Sequence, residues 1–101
     1  MEEIMSIAVI AEIEPVPYNE EPVQEALLAA VDRVRSEDAG CERYDLHWDD
    51  KNGRFVMVER WADQAALDTH AAGAAFVALT TALEGRLAAP ITLRILQPIG
   101  R

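Results

Sequence analysis

Apolar and polar positions along this chain recur with a period of two in some stretches and near 3.6 in others, and the switches mark its elements. Ile4 to Ile13 reads as a first strand, with Ile7, Val9, Ala11 and Ile13 on one face and Ala8, Ile10 and Glu12 on the other. Both faces are mostly apolar, which places the strand centrally in a sheet. Pro15 and Pro17 end it, since neither can donate to a ladder. Asn19 is placed to cap a helix, with Glu20 and Glu21 at its positive end and Pro22 in its first turn. Val23, Leu27, Ala30, Val31 and Val34 then form one apolar stripe of an amphipathic helix reaching about Ser36. It stops near Asp38-Ala39-Gly40, where Gly40 can take the left-handed conformation.

From Cys41 to Trp48 the period returns to two. Tyr44, Leu46 and Trp48 share one face and Arg43, Asp45 and His47 the other, the pattern of a half-exposed edge strand. Asp49 to Gly53 is a turn signal containing Asn-Gly, and Arg54 to Trp61 returns antiparallel as a hairpin. Asp63 opens a short helix in which Leu67, His70 and Ala71 share a face, and Gly73 breaks it. A further helix carries Phe76, Leu79, Thr80, Leu83 and Leu87 on one stripe. Pro90 precedes a last strand, Ile91 to Gln97, with Ile91, Leu93 and Ile95 on one face.

The order is β-α-β-β-α(α)-β, a split βαβ that builds an α+β domain: a four-stranded antiparallel sheet with helices on one side. Strands 1, 3 and 4 nevertheless carry apolar residues on both faces, as in Phe55 and Met57 against Val56 and Val58. An uncovered apolar sheet face marks an association surface, so the pattern predicts a homodimer formed face to face with two-fold symmetry.

Composition narrows the function classes. A length of 101 residues is one domain, residues 1–101. The net charge of −9 disfavours nucleic acid and anionic membranes, which are bound through Lys and Arg. No apolar run approaches the length of a membrane span, and Met1-Glu2-Glu3 lacks the basic start of a signal peptide, so a cytoplasmic location is expected. Cys41 is the single cysteine, which excludes an intrachain disulfide and a multi-cysteine metal site. No His/Cys/Asp spacing reads as a metal site, and the five glycines are too scattered for a phosphate-binding loop.

Several residues together carry a family resemblance. Gly40-Cys41-x-x-Tyr44-x-Leu46, a hairpin, Glu59-x-Trp61-x-Asp63-x-x-Ala66-Leu67-x-x-His70 and then Ala75-Phe76 resemble the antibiotic biosynthesis monooxygenase domain, which includes quinol monooxygenase-like proteins. The likeness spans roughly Ile7 to Gln97. It implies a ferredoxin-like βαββαβ subunit pairing into a dimeric α+β barrel, with a pocket between sheet and helices. It also implies oxidation of a small phenol, anthrone or quinol to a quinone by dioxygen without metal or flavin cofactor. Such a protein must bind an aromatic ring, favour its anion and exclude water. The haem-degrading branch of the group is said to need an Asn on the first strand, which is absent between Ile4 and Ile13, and a His on the last helix, absent from residues 74–87.

Under that resemblance His70 is the candidate general base, the alternative being a half-buried His that holds the adjoining loop. Trp61 is either a wall for the substrate ring or a core residue at the strand–helix corner. Tyr44 either donates to an oxyanion or packs as an edge-strand aromatic. Glu59 shares the face of Trp61 and needs a partner there; an ion pair with Arg60 or Arg94 is expected. His47 reads as solvated and Cys41 as a small buried thiol. The rival to an enzyme is a non-catalytic dimeric barrel that binds an apolar metabolite or a protein partner.

Overall fold

The computed structural model describes residues 6–100. Its elements follow the expected order: β1 (Ile7–Ile13), α1 (Glu20–Glu37), β2 (Cys41–Asp49), β3 (Arg54–Trp61), α2 (Gln64–Ala72), α3 (Ala74–Leu83) and β4 (Thr92–Leu96). Ile4 and Met5, assigned to the first strand by pattern, lie outside the described residues. The strands form one antiparallel sheet in the order β2-β3-β1-β4, the ferredoxin-like arrangement. β1 is central, as two apolar faces require, and β2 and β4 are the edges.

One sheet face lies under the helices. Ile7, Val9, Ala11 and Ile13 of β1 and Phe55, Met57 and Trp61 of β3 are buried there. They meet Val23, Leu27, Val31 and Val34, the predicted stripe of α1. Burying a side chain of this size stabilises the fold by roughly 1.5–3 kcal/mol. At the foot of α1, Asn19 occupies the cap position but makes no capping bond. Its side-chain oxygen instead accepts from the Arg86 guanidinium at 3.0 Å, tying the start of α1 to the chain after α3.

Two predicted stripes are corrected. Ala71 is exposed, and the inward face of α2 is carried by His70 with Ala66 and Leu67 half-buried one turn before it. In α3 the buried residues are Ala75, Leu79 and Leu83, while Thr80 points outward. Leu87 lies beyond the helix, bridging to Pro15, because the chain reverses at Gly85 with φ of 73°. Gly73 separates α2 from α3 in extended conformation, and their axes meet at 53°.

The opposite sheet face is mixed rather than purely apolar. Ala8, Ile10, Val56 and Val58 are half-buried there, bordered by ion pairs of Arg54 and Arg94 with Glu12 and of Arg60 with Glu42. β4 is exposed along its whole length, so Leu93 and Ile95, although on the helix side, extend past the helices' cover. Among the described residues no single helix is long and apolar enough to cross a membrane.

Candidate functional site

At the strand–helix corner the sequence makes a buried cluster of aromatic and ionisable groups. Glu59 and Trp61 are two apart on β3 and so face the same side. The Trp61 indole Nε1–H donates to Glu59 Oε1 at 3.0 Å, with both side chains buried. Asp63 then caps α2 by accepting from the Ala66 backbone N–H at 2.8 Å. That cap fixes the phase of the helix, and its last turn lays the His70 ring on the Trp61 indole, centroids 4.4 Å apart at 28°. Tyr44 of β2, cross-strand from Glu59, meets His70 edge-on at 5.5 Å. Phe76 of α3 meets it edge-on at 5.4 Å.

His70 has a partner that sequence reasoning missed. Asp38, the residue ending α1, places its Oδ2 at 2.7 Å from His70 Nδ1. Both side chains are nearly buried. In the tautomer with the proton on Nδ1 the ring donates to Asp38 Oδ2, and its lone pair lies on Nε2. A carboxylate at a helix C-terminus opposes the helix dipole. That unfavourable placement was the signal that Asp38 serves something other than the helix. A Cβ on neighbouring Gly73 would touch Asp38 Oδ1 only at ordinary distance, 3.7 Å, but would crowd the Thr69 carbonyl at 3.1 Å.

The expected ion pair of Glu59 is overturned. Arg60 and Arg94 lie on the other face of the sheet, engaged with Glu42 and Glu12. Trp61 supplies the hydrogen bond instead, and no cation among the described residues pairs with the carboxylate. Burial therefore lifts the Glu59 carboxyl from its ordinary 4.5 to about 7, against the opposing pull of the Trp61 bond. Burial, and then the charge of Glu59, push the Tyr44 hydroxyl well above the usual tyrosine range. Tyr44 is thus a hydrogen-bond donor and not a base at physiological pH. His47 is exposed, and Cys41 is half-buried, its thiol held up in pKa by burial.

Between sheet and helices runs a narrow cavity of about 20 Å³, enough for about one water. Tyr44 and Glu59 are the polar residues of its lining; Leu27, Met57, Phe76 and Leu79 supply apolar walls, and half-exposed Leu93 stands at its mouth. Trp61 and His70 are not among its walls. They pack on each other behind Tyr44 and Phe76, both of which line the cavity. Ile91 is shared with an open, largely apolar groove of about 390 Å³ beside the end of α3. Among the described residues no group of three or more His, Cys, Asp or Glu side chains is placed to hold a metal ion.

A ferredoxin-like subunit with a buried aromatic and acid–base cluster beneath its helices defines a class, and comparison with known proteins gives the family. Residues 6–81 match the sequence profile described as antibiotic biosynthesis monooxygenase. The chain belongs to that family. It is 30% identical over 93 residues to the Mycobacterium tuberculosis protein named "Putative monooxygenase Rv0793", covering 92% of this chain and 91% of that one. The solved structure of Rv0793 superposes with a TM-score of 0.87 over 95% of this chain and 97% of its own. PA3566 from Pseudomonas aeruginosa is 30% identical with a TM-score of 0.87, covering 98% of this chain and all of that one (100%). A Caulobacter crescentus structure at 22% identity and a TM-score of 0.88 shares the fold.

Proposed function

We propose that this protein is a cofactor-independent monooxygenase that oxidises a small hydroxylated aromatic to a quinone with dioxygen. The observation that carries the reading is the chemistry of the cavity lining and not its volume, which in this closed form holds about one water. Apolar and aromatic walls suit a ring, and Tyr44 and Glu59 are the polar groups that meet its oxygen substituents. Removal of a proton makes the ring electron-rich enough to reduce dioxygen itself. For a phenol with an open para position, the O–H and para C–H hydrogens leave. One oxygen atom enters as the new carbonyl and the other departs as water. An anthrone follows the same balance at its methylene carbon, and a quinol passes both hydroxyl hydrogens to dioxygen, which leaves as hydrogen peroxide.

In this reading His70 is the base, oriented by Asp38 so that Nε2 is free to take the proton. Trp61 stacks against it, and Tyr44 donates to the developing oxyanion. A cavity of about 20 Å³ admits a ring only when its walls give. Phe76 touches both the cavity and His70, so displacement of that ring joins the two. The protein works as a homodimer across the open sheet faces, and a cytoplasmic location belongs to the same proposal. The test is oxygen uptake with phenols, anthrones and quinols. A turnover that His70→Ala lowers by about 100-fold or more is expected of a general base; unchanged uptake in that variant removes His70 from the mechanism.

A second reading has its own support. The solid packing of His70 against Trp61, Tyr44 and Phe76 also suits a barrel that binds an apolar metabolite or a protein partner without chemistry. Tight binding of aromatic ligands with no oxygen consumption would favour it.

A further inference from the structure

Two ionisable side chains meet the Trp61 indole, one on its ring face and the other at its N–H. His70 stacks on the ring face and is tied to Asp38. Glu59 takes the indole N–H and, unlike His70, lines the cavity. One Glu59 oxygen is engaged by Trp61, and no arginine or lysine among the described residues neutralises the group. A carboxylate bears two oxygens with about four lone-pair sites, so a single indole hydrogen bond leaves most of its accepting capacity free.

We propose that Glu59 is a further substrate-contacting residue: once the ring of Phe76 gives way and the cavity opens beyond the one water it now holds, the Glu59 carboxylate accepts a hydrogen bond from a hydroxyl of the aromatic ligand while the His70 side removes the proton that starts the chemistry. This deepens the oxygenase reading and rests on it for the second half only. The substrate class it defines is an aromatic ring with two proton-bearing positions, one held at Glu59 and the other delivered toward His70. A plain hydrocarbon ring satisfies neither.

The surroundings of Glu59 fix the pH behaviour. β2 presents Tyr44 and Cys41 as its titratable neighbours, α2 presents His70 beyond the indole, and Asp38 follows α1. α1 and α3 present Leu27, Phe76 and Leu79, and β1 pairs Val9 with it. Ionised Glu59 makes a charge-assisted bond to a hydroxyl, stronger than the bond the neutral acid accepts. Ligand affinity therefore rises as pH passes upward through about 7, where Glu59 loses its proton.

The test is equilibrium binding of α-naphthol, whose own hydroxyl titrates well above this range, and of naphthalene, which has no hydroxyl. Wild-type protein is expected to bind α-naphthol about tenfold more tightly on the alkaline side of the transition, with naphthalene insensitive to pH. Glu59→Gln, isosteric and still able to accept from Trp61, is expected to abolish the pH dependence; His70→Gln is expected to keep it. Wild-type affinity and pH dependence in Glu59→Gln would overturn the proposal, as would loss of the dependence in His70→Gln alone or no binding of α-naphthol by the wild type. Binding that follows the expected pattern in a protein that consumes no oxygen supports Glu59 as the ligand contact and discards the oxygenase reading alone.

Discussion

Glu59 shows what a single buried carboxyl does to a small domain. In the native protein it holds its proton up to about 7, whereas an unfolded chain releases it near 4.5. Between those values the native state binds more protons than the unfolded state, so stability falls as pH rises through the window and levels off above it. The full difference is on the order of 3 kcal/mol. Thermal denaturation across this range is expected to show that loss in wild-type protein and a flatter profile in Glu59→Gln. A variant with the wild-type slope would place the titration elsewhere. The expected pair with Arg60 fails for a local reason: neighbouring residues of a strand face opposite ways, so Arg60 points away from Glu59. Asp38 was harder to find. It is 32 residues from His70 in sequence, and only the folded chain brings the residue ending α1 to 2.7 Å from the last turn of α2.

At the scale of elements, the site depends on how closely α2 approaches the turn after α1. Gly40 has φ of 85°, and a Cβ built on it would lie 2.6 Å from the Ala66 Cβ. Its carbonyl also accepts from the Ala62 N–H at 2.8 Å, pinning the start of the α2 segment. Gly53 in the hairpin has φ of 66°, but a Cβ there would meet nothing within 4 Å, so only the backbone cost applies. Gly53→Ala is expected to cost about 1–2 kcal/mol, and Gly40→Ala measurably more, by chemical denaturation. Equal costs would mean that Ala66 yields without disturbing α2. The strands and α1 were readable because a stripe of five apolar residues or a run of alternation is a strong local signal. α2 and α3 were less so: with alanine on every side, neither helix has a sharp polar boundary, and spacing alone puts Ala71, Thr80 and Leu87 inward.

For the whole molecule, the open sheet face is the surface on which the proposed dimer depends. Ile10 and Val58 are cross-strand neighbours there, half-buried in one subunit and framed by the Arg54–Glu12–Arg94 and Arg60–Glu42 pairs. That is the layout of an interface with an apolar centre and a charged rim. Light scattering is expected to return a dimer at micromolar concentration, and Ile10→Lys with Val58→Lys a folded monomer; a monomeric wild type would refute the pairing. The sequence made this surface visible by its alternation, but the ion pairs that frame it join residues far apart in the chain, from Glu12 to Arg94, and needed the sheet order. The same holds for the site: Trp61, His70 and Tyr44 were legible as chemically capable residues, while the cavity that excludes two of them from direct contact follows only from the packing of Phe76 and Leu79.

A ring bound in this fold, on the proposed mechanism, gives its own electrons to dioxygen. Incubation of the metal-stripped, flavin-free protein with an anthrone under isotopically labelled dioxygen tests that most directly. The expected result is oxygen consumption matched to product, with one labelled atom in the quinone and the other in water, and a rate that collapses in His70→Ala. Consumption that requires an added flavin or metal, or no consumption with any hydroxylated aromatic, would contradict it.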